Sequence, residues 1–318
     1  MNPVRGEVLC DLLSRSVASD EAAVRIPLLV AGVRFDIITK APAVAAWLNS
    51  YFKSYRHENG GATLAEIYVE PIESSPELDD LWFDPDPEFH LNAENGFVVQ
   101  RDFAAGVFAR SLEGTERVLA FLSPSYISDA VCNLLRWWLP PKLIKHDAFL
   151  LHGAGVIHGN QGYVFFGESG AGKSTAIRLI ASHLPEAEIL GDDSVIVGIP
   201  RHDSVPWVYS APLGSTYSRE PPSASSAPLG GLFSLRKQDK HVVESLPISA
   251  GVTALLGSIM GIGFGINEGA AMDLAVRMAK SRCGISRLCF RRDPGFWMHV
   301  IQSGYGMQGR SDEYKKNF

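Results

Sequence analysis

The nine residues Gly167-Glu168-Ser169-Gly170-Ala171-Gly172-Lys173-Ser174-Thr175 have the residue types and spacing of a phosphate-binding loop. The apolar run 163–166 precedes this loop and predicts a β-strand. Residues 173–184 follow it with apolar residues at helical spacing, and Pro185 is expected to end that helix. The succession of strand, loop and helix predicts an α/β domain that binds a nucleotide.

Each part of the loop suits a bound phosphate. Gly170 and Gly172 let backbone N–H groups turn toward an anion at close range, where a side chain would obstruct them. The N-terminal end of the following helix adds a positive field, Lys173 adds a full charge, and the Ser174 hydroxyl can bind Mg²⁺. We therefore expect all of 167–175 to bind ATP, with Lys173 acting on the charge that develops during phosphoryl transfer.

Two adjacent carboxylates, Asp192 and Asp193, follow the next apolar run along the chain. Neighbouring residues on a strand face opposite sides, so they should have separate tasks unless the chain bends at Gly191. One can bind Mg²⁺ while the other accepts the proton of an attacking hydroxyl. The alternative is an acidic turn at a strand end without a catalytic role.

Three further residues are candidates by position. His152 lies at the start of a predicted β-hairpin and can bind a phosphate or orient an aspartate; a purely structural histidine is the alternative. Arg291 and Arg292 follow an apolar run and can place a guanidinium near a transferring phosphate. Ordinary surface charge explains these two arginines equally well.

The 318-residue chain is long enough for two domains. Extended runs such as 26–38 and a helical run at 41–55 predict a small mixed α/β N-terminal domain. A helix at 124–139 is expected to end at Pro140-Pro141, so we place the domains at 1–143 and 144–318. Residues 215–228, rich in Ser and Pro, are expected to form a mobile loop.

Composition excludes several classes of partner. The net charge is −6, and the stretch from Glu66 to Glu94 holds ten acidic residues without a Lys or Arg, which opposes nucleic-acid binding. The longest uncharged stretch, 245–267, is too rich in Gly and Ser for a membrane span and predicts a buried helix from about Ser249. With no secretory segment and four cysteines without metal-ligand spacing, the sequence predicts a cytoplasmic protein, and it leaves a homo-oligomer open.

Three motifs in order resemble the catalytic domain of HPr kinase/phosphorylase, a relative of ATP-dependent phosphoenolpyruvate carboxykinase. They are His152-Gly153, the loop 167–174 and Asp192-Asp193, and the similarity covers about 151–197. The resemblance implies an ATP- and Mg²⁺-dependent serine-type kinase in which Asp192 is the base and Asp193 the metal ligand. Beyond Val197 the run 227–233, followed by Leu246-Pro247, is more similar to HPr-kinase-like enzymes of peptide-modifying gene clusters, such as lasso-peptide tailoring kinases.

Two departures narrow what the resemblance implies. Thr175 stands where HPr kinase itself usually has Glu, and no second, arginine-containing signature is found, so neither HPr as substrate nor phosphorolysis follows. The expected acceptor is a serine-like hydroxyl of a peptide, a protein or a small metabolite. The alternatives are a nucleotide-gated binding module that transfers no phosphate, in which ATP orders the loop 215–228, and a carboxykinase, for which the additional basic residues cannot be located.

Overall fold

The computed structural model describes residues 23–58, 63–71, 97–100, 105–112, 115–122, 127–200, 204–214, 221–262 and 266–303. The chain divides into two compact units, Met1–Trp138 and Leu139–Phe318. Both contain β-sheet and helix, so the protein is mixed α/β as predicted. The division between the units lies a few residues before the predicted boundary at 143/144.

The first unit contains a sheet of six strands in the order β1-β2-β3-β6-β5-β4. Strands β2, β3 and β6 are mutually parallel, whereas β1, β5 and β4 join the sheet antiparallel to their neighbours. The elements are β1 (Val24–Val30), β2 (Val33–Thr39), α1 (Pro42–Tyr51), a 3-10 turn (Lys53–Tyr55), β3 (Ala65–Pro71), β4 (Phe97–Gln100), β5 (Ala105–Leu112), β6 (Thr115–Leu122) and α2 (Ile127–Lys145).

Two sequence expectations for this region are wrong in detail. The run 26–38 is not one strand, because Ala31 and Gly32 have φ of 46° and 85° and form the tight turn of the β1–β2 hairpin. The second helix does not end at Pro140-Pro141 but continues to Lys145. A proline removes one helical hydrogen bond, and the burial of Leu139 and Leu143 on either side of the pair compensates for that loss.

The second unit carries eight strands and four helices that follow α2. They are β7 (Ala148–His158), β8 (Gln161–Phe166), α3 (Lys173–His183), β9 (Glu188–Gly191), β10 (Ser194–Gly198), β11 (Trp207–Ser210), β12 (Ser226–Lys237), β13 (Val242–Ser245), α4 (Ile248–Leu256), α5 (Glu268–Lys280), β14 (Ser286–Phe290) and α6 (Phe296–Ser303). The predicted hairpin before the loop and the helix after it are confirmed. A helix does begin near Ser249, but it is not a buried one: only one face packs against the core, through residues such as Val252 and Leu255, and Ile248 is 47% exposed. Of the predicted mobile loop, 215–220 lies outside the described residues, and Ser226 already belongs to β12.

The eight-stranded sheet has the order β11-β10-β7-β8-β12-β14-β13, with β9 paired to β7. Strand β11 also pairs with β12, so the path β10-β7-β8-β12-β11 closes on itself. Gly162 permits this closure, because a Cβ there would lie 2.0 Å from Cγ1 of Val208 on β11. Strand β8, which leads into the glycine loop, pairs with β7 on one side and with β12 on the other.

Alternate residues of the central strands enter two cores on opposite faces of this sheet. Tyr163 and Phe165 pack with α3 and α6 on one face, whereas Val164 and Phe166 pack with α4 and α5 on the other. Complete burial of such a side chain stabilises the fold by about 1.5–3 kcal/mol. The loop after Phe166 thus extends from one of the most deeply buried strands of the unit. No helix in the described ranges is long and apolar enough to cross a bilayer.

A buried histidine makes the second unit sensitive to acid. The His158 ring, at the end of β7, is 3% exposed, and its centroid lies 5.5 Å from that of Trp297. Burial lowers the pKa of His158 from its usual 6.5, an effect that Glu186 nearby opposes. Below pH 6.5 the unfolded chain consequently binds a proton that the folded chain excludes, so acid favours unfolding.

We expect the free energy of unfolding to fall as the pH is lowered from 7 to 5, with a contribution from His158 of up to about 1.4 kcal/mol per pH unit. Urea unfolding across this range measures the slope. His158→Gln should flatten it, and His183→Gln, a substitution at an exposed histidine, should leave it unchanged. An equal slope in the wild type and His158→Gln would contradict the prediction.

Candidate functional site

Three glycines of the loop between β8 and α3 adopt left-handed backbone conformations. The φ angles are 138° at Gly167, 78° at Gly170 and 111° at Gly172. A Cβ at Gly172 would lie 2.8 Å from Cζ of Phe290, whereas one at Gly170 would meet nothing within 4 Å. The glycine pattern is therefore required by the backbone at all three positions, and at Gly172 also by close packing.

Helix α3 begins directly at this loop without a capping side chain. Its N-cap is Gly172, whose φ is left-handed, and no side chain accepts from the first helical amides. The opening amides of any α-helix have no partner within the helix, and an anion can accept hydrogen bonds from them. The buried residues Ala176, Ile177 and Ile180 fix the helix against the sheet, so these amides are held in place.

The ammonium group of Lys173 is enclosed by the loop. Lys173 is 6% exposed, and its Nζ donates to the carbonyl oxygens of Gly167 at 2.9 Å and Glu168 at 3.1 Å. Within the described residues, no carboxylate oxygen lies within 4.0 Å of Nζ. Burial lowers the pKa of Lys173, and the more distant carboxylate of Asp193 acts in the opposite direction. A buried cation held only by carbonyls is a strong site for an anion.

Asp193 and His152 meet on the β7 side of the loop. His152 Nδ1 lies 3.1 Å from the backbone oxygen of Asp193 and 3.3 Å from its Oδ1. Because both of these oxygens accept hydrogen bonds, the contact requires that Nδ1 of His152 carry the ring proton. The side chains of His152 and Asp193 are 42% and 31% exposed, so both are accessible to a ligand. The carboxylate of Asp193 also acts electrostatically on Lys173, which indicates that these two predicted residues lie near each other.

Asp192 has a different environment from its neighbour. It is 4% exposed, while the adjacent Asp193 is partly open. The chain bends at these two residues, and a Cβ on Gly191 would lie 2.4 Å from the carbonyl oxygen of Ser194. The chain therefore bends, which the sequence left open, and the two carboxylates nevertheless lie in different environments.

A basic cleft opens on the other side of the loop, toward β12 and β14. Its volume is about 810 Å³, and it is lined by Gly172, Thr175, Lys237, Gln238, Asp239, Lys240, Phe290, Arg291 and Arg292. In the part of the chain that the structure describes, Lys237, Lys240 and Arg292 make no side-chain hydrogen bond or ion pair. Four cationic side chains facing one aspartate make the cleft a site for an anionic ligand.

Sequence reasoning found only part of this cleft. Arg291 and Arg292 were candidates, and the structure places both on its wall. Lys237 and Lys240 were missed, because they lie far along the chain and reach the loop only through the pairing of β12 with β8. A signal is present in Arg236-Lys237-Gln238-Asp239-Lys240, a charged run that begins with the last two residues of the apolar strand β12.

Comparison with known proteins gives no family. No protein-family model matches the chain, and no curated protein matches it significantly. No group of three or more His, Cys, Asp or Glu side chains in the described ranges could hold a metal ion. The expected Mg²⁺ site does not require such a group, since Mg²⁺ commonly binds one or two protein ligands together with substrate phosphates.

A matched pair of substitutions tests the packing of the loop. Gly170→Ala and Gly172→Ala both place a side chain on a left-handed residue, at a cost of about 1–2 kcal/mol. Only Gly172→Ala also presses against Phe290, which should add about 1–3 kcal/mol. Urea unfolding without nucleotide should show Gly172→Ala as the less stable variant. Equal stability of the two would mean that the contact with Phe290 does not constrain the loop.

Proposed function

We propose that this protein is an ATP- and Mg²⁺-dependent kinase of the HPr-kinase-like type, with a phosphate-binding-loop catalytic domain. It transfers the γ-phosphoryl group to a serine-like hydroxyl of a peptide, a protein or a small molecule. The observation that carries the proposal is Lys173, a buried cation held by two loop carbonyls at the start of an uncapped helix. A bound phosphate supplies the counter-charge that these groups require.

The two sides of the loop suggest an orientation for ATP. Among the described residues, three side chains that line the cleft on the β12–β14 side, Lys237, Lys240 and Arg292, make no hydrogen bond or ion pair, and Asp193 with His152 lies on the β7 side. In this proposal the nucleoside and inner phosphates occupy the cleft beside Thr175. The terminal phosphate then faces Lys173 and the acidic side, where the acceptor hydroxyl enters.

The residues would divide the chemistry as follows. The acceptor oxygen forms a bond to the γ-phosphorus, the bond from that phosphorus to the bridging oxygen breaks, ADP leaves, and the acceptor proton passes to Asp192. Lys173 stabilises the charge on the transferring group, and His152 orients Asp193 through Nδ1. Ser174 and Asp193 would hold Mg²⁺, which, when bound, neutralises phosphate charge. Their oxygens are the hard ligands that this ion prefers.

Phosphoryl transfer is tested directly with γ-labelled ATP and Mg²⁺. The acceptors are free serine, a library of serine-containing peptides, and the protein itself. Transfer of label to a hydroxyl, dependent on the protein and absent from Lys173→Met, would support the proposal. Tight ADP binding without transfer to any of these acceptors would favour the nucleotide-gated binding module instead.

A further inference from the structure

Asp293 lies beside the basic cleft and contacts Arg291, which lines it. The residue follows β14 and lies between Arg292 and α6, and its backbone N–H donates to the carbonyl oxygen of Arg291 at 2.8 Å. Its Oδ1 accepts from His241 Nε2 at 2.8 Å and from the backbone of Gly295 at 2.9 Å. Its Oδ2 accepts from Arg291 Nε. His241 directly follows the cleft residue Lys240, so Asp293 links the β12–β13 turn to the segment after β14.

The Arg291–Asp293 pair is made through Nε alone. A guanidinium has five N–H donors, and Nε supplies one of them. In the described residues no acceptor contacts Nη1 or Nη2 of Arg291, and the side chain is 62% exposed. The bond to Asp293 therefore restricts the arm of Arg291 while its two terminal amino groups remain available to a ligand in the cleft.

The carboxylate of Asp293 is well defined by its surroundings. Burial acts to raise its pKa, but the hydrogen bonds from His241, Arg291 and Gly295 outweigh that effect and hold the pKa below its usual range. His241 is 11% exposed, and its ring packs near Phe296 at a centroid distance of 6.5 Å. A Cβ on Gly295 would lie 3.0 Å from Oδ1 of Asp293. The anchor of Arg291 is thus held by several hydrogen bonds, while its side chain stays 33% exposed.

We propose that Asp293 is a positioning residue for nucleotide binding, which holds the guanidinium of Arg291 against the cleft so that its terminal amino groups bind a phosphate oxygen of ADP or ATP. This inference rests on the proposed nucleotide site. If Asp293 acted only through its charge, its substitution would change ADP affinity in the opposite direction. Removing a negative charge from a cationic cleft should strengthen the binding of an anion. The direction of the change therefore distinguishes positioning from charge.

The test compares two isosteric substitutions in the same cleft, with ADP as the probe in titration calorimetry. Asp293→Asn should weaken ADP binding about 3- to 10-fold, because a neutral amide holds Arg291 less firmly. Asp239→Asn is the matched control. Asp239 lines the cleft without a hydrogen bond or ion pair in the described ranges, so its substitution only removes a negative charge from the cleft and should strengthen ADP binding.

A double-mutant cycle separates positioning from a merely structural role. In an Arg291→Ala background, Asp293→Asn should no longer weaken ADP binding, whereas a structural defect would persist there. Gly295→Ala is a second way to disturb Asp293, because the added Cβ presses on its Oδ1. This substitution should also weaken ADP binding. Urea unfolding of each variant shows that the fold is retained.

Each result decides the inference. If the wild type binds ADP and Asp293→Asn binds it as tightly as Asp239→Asn does, Asp293 has no positioning role, while the proposed kinase function is unaffected. A persistent loss of affinity in the Arg291→Ala background would also overturn the inference. If the wild type binds no ADP, both the proposed function and this inference are wrong.

Discussion

Lys173→Met is expected to lower the rate of phosphoryl transfer by about 10²- to 10³-fold, the usual cost of removing one preorganised group that stabilises transition-state charge. Methionine retains most of the apolar stem but removes the ammonium that donates to the Gly167 and Glu168 carbonyls. ADP binding should also weaken, because the loop loses its only full positive charge among 167–175. Steady-state kinetics and calorimetry measure the two effects.

The control for this substitution is Lys280→Met, at the exposed last turn of α5. It makes the same chemical change away from the loop and should alter neither rate nor ADP affinity. Because the wild-type Lys173 is buried without a carboxylate within 4.0 Å among the described residues, its removal should not reduce the free energy of unfolding strongly. Full transfer activity in Lys173→Met would refute the role assigned to the loop.

Asp192→Asn is expected to lower kcat by about 10²- to 10⁴-fold while ADP affinity remains close to that of the wild type. A general base contributes a factor of this size to proton transfer and little to nucleotide binding. Asp193→Asn should instead raise the Mg²⁺ concentration needed for half-maximal activity, because this carboxylate is the proposed metal ligand. Initial rates over an Mg²⁺ titration measure both the kcat of Asp192→Asn and the Mg²⁺ requirement of Asp193→Asn.

The two carboxylates make this experiment a sharp one, because their environments differ. Asp192 is 4% exposed, whereas Asp193 is more open and contacts His152. If Asp192→Asn retained the full rate and Asp193→Asn lost it without any dependence on Mg²⁺, the roles would be reversed. His152→Gln serves as the comparison, since it removes the partner of Asp193 without changing either carboxylate.

Much of the local structure around the site could be predicted from the sequence. The strand into the loop and the helix after it follow from apolar periodicity, from glycine and from proline, which act over a few residues. The sequence leaves the bend near Gly191 open. Where prediction failed, tertiary packing opposed a local rule. Helix α2 continues through Pro140-Pro141 because buried leucines on either side stabilise it.

The composition of the site depended more on distant contacts. His152 and the aspartates are predicted together only because three motifs in order resemble HPr kinase/phosphorylase. The contact between His152 and Asp193 itself requires that Ser194 of β10 pair with His152 of β7. Lys240, His241 and Asp293 carry no local signal of a shared role, since they are brought together by β13 and β14 and by the segment that follows.

The conformation of the loop follows from nine consecutive residues, because left-handed glycines, a lysine and a helix start are local properties of the chain. The surroundings of the loop depend instead on the tertiary structure. The pairing of β8 with both β7 and β12 places Asp193 and His152 on one side and a basic cleft on the other. Strand pairing is set by the packing of two cores, and no local pattern in the sequence records which strands become neighbours.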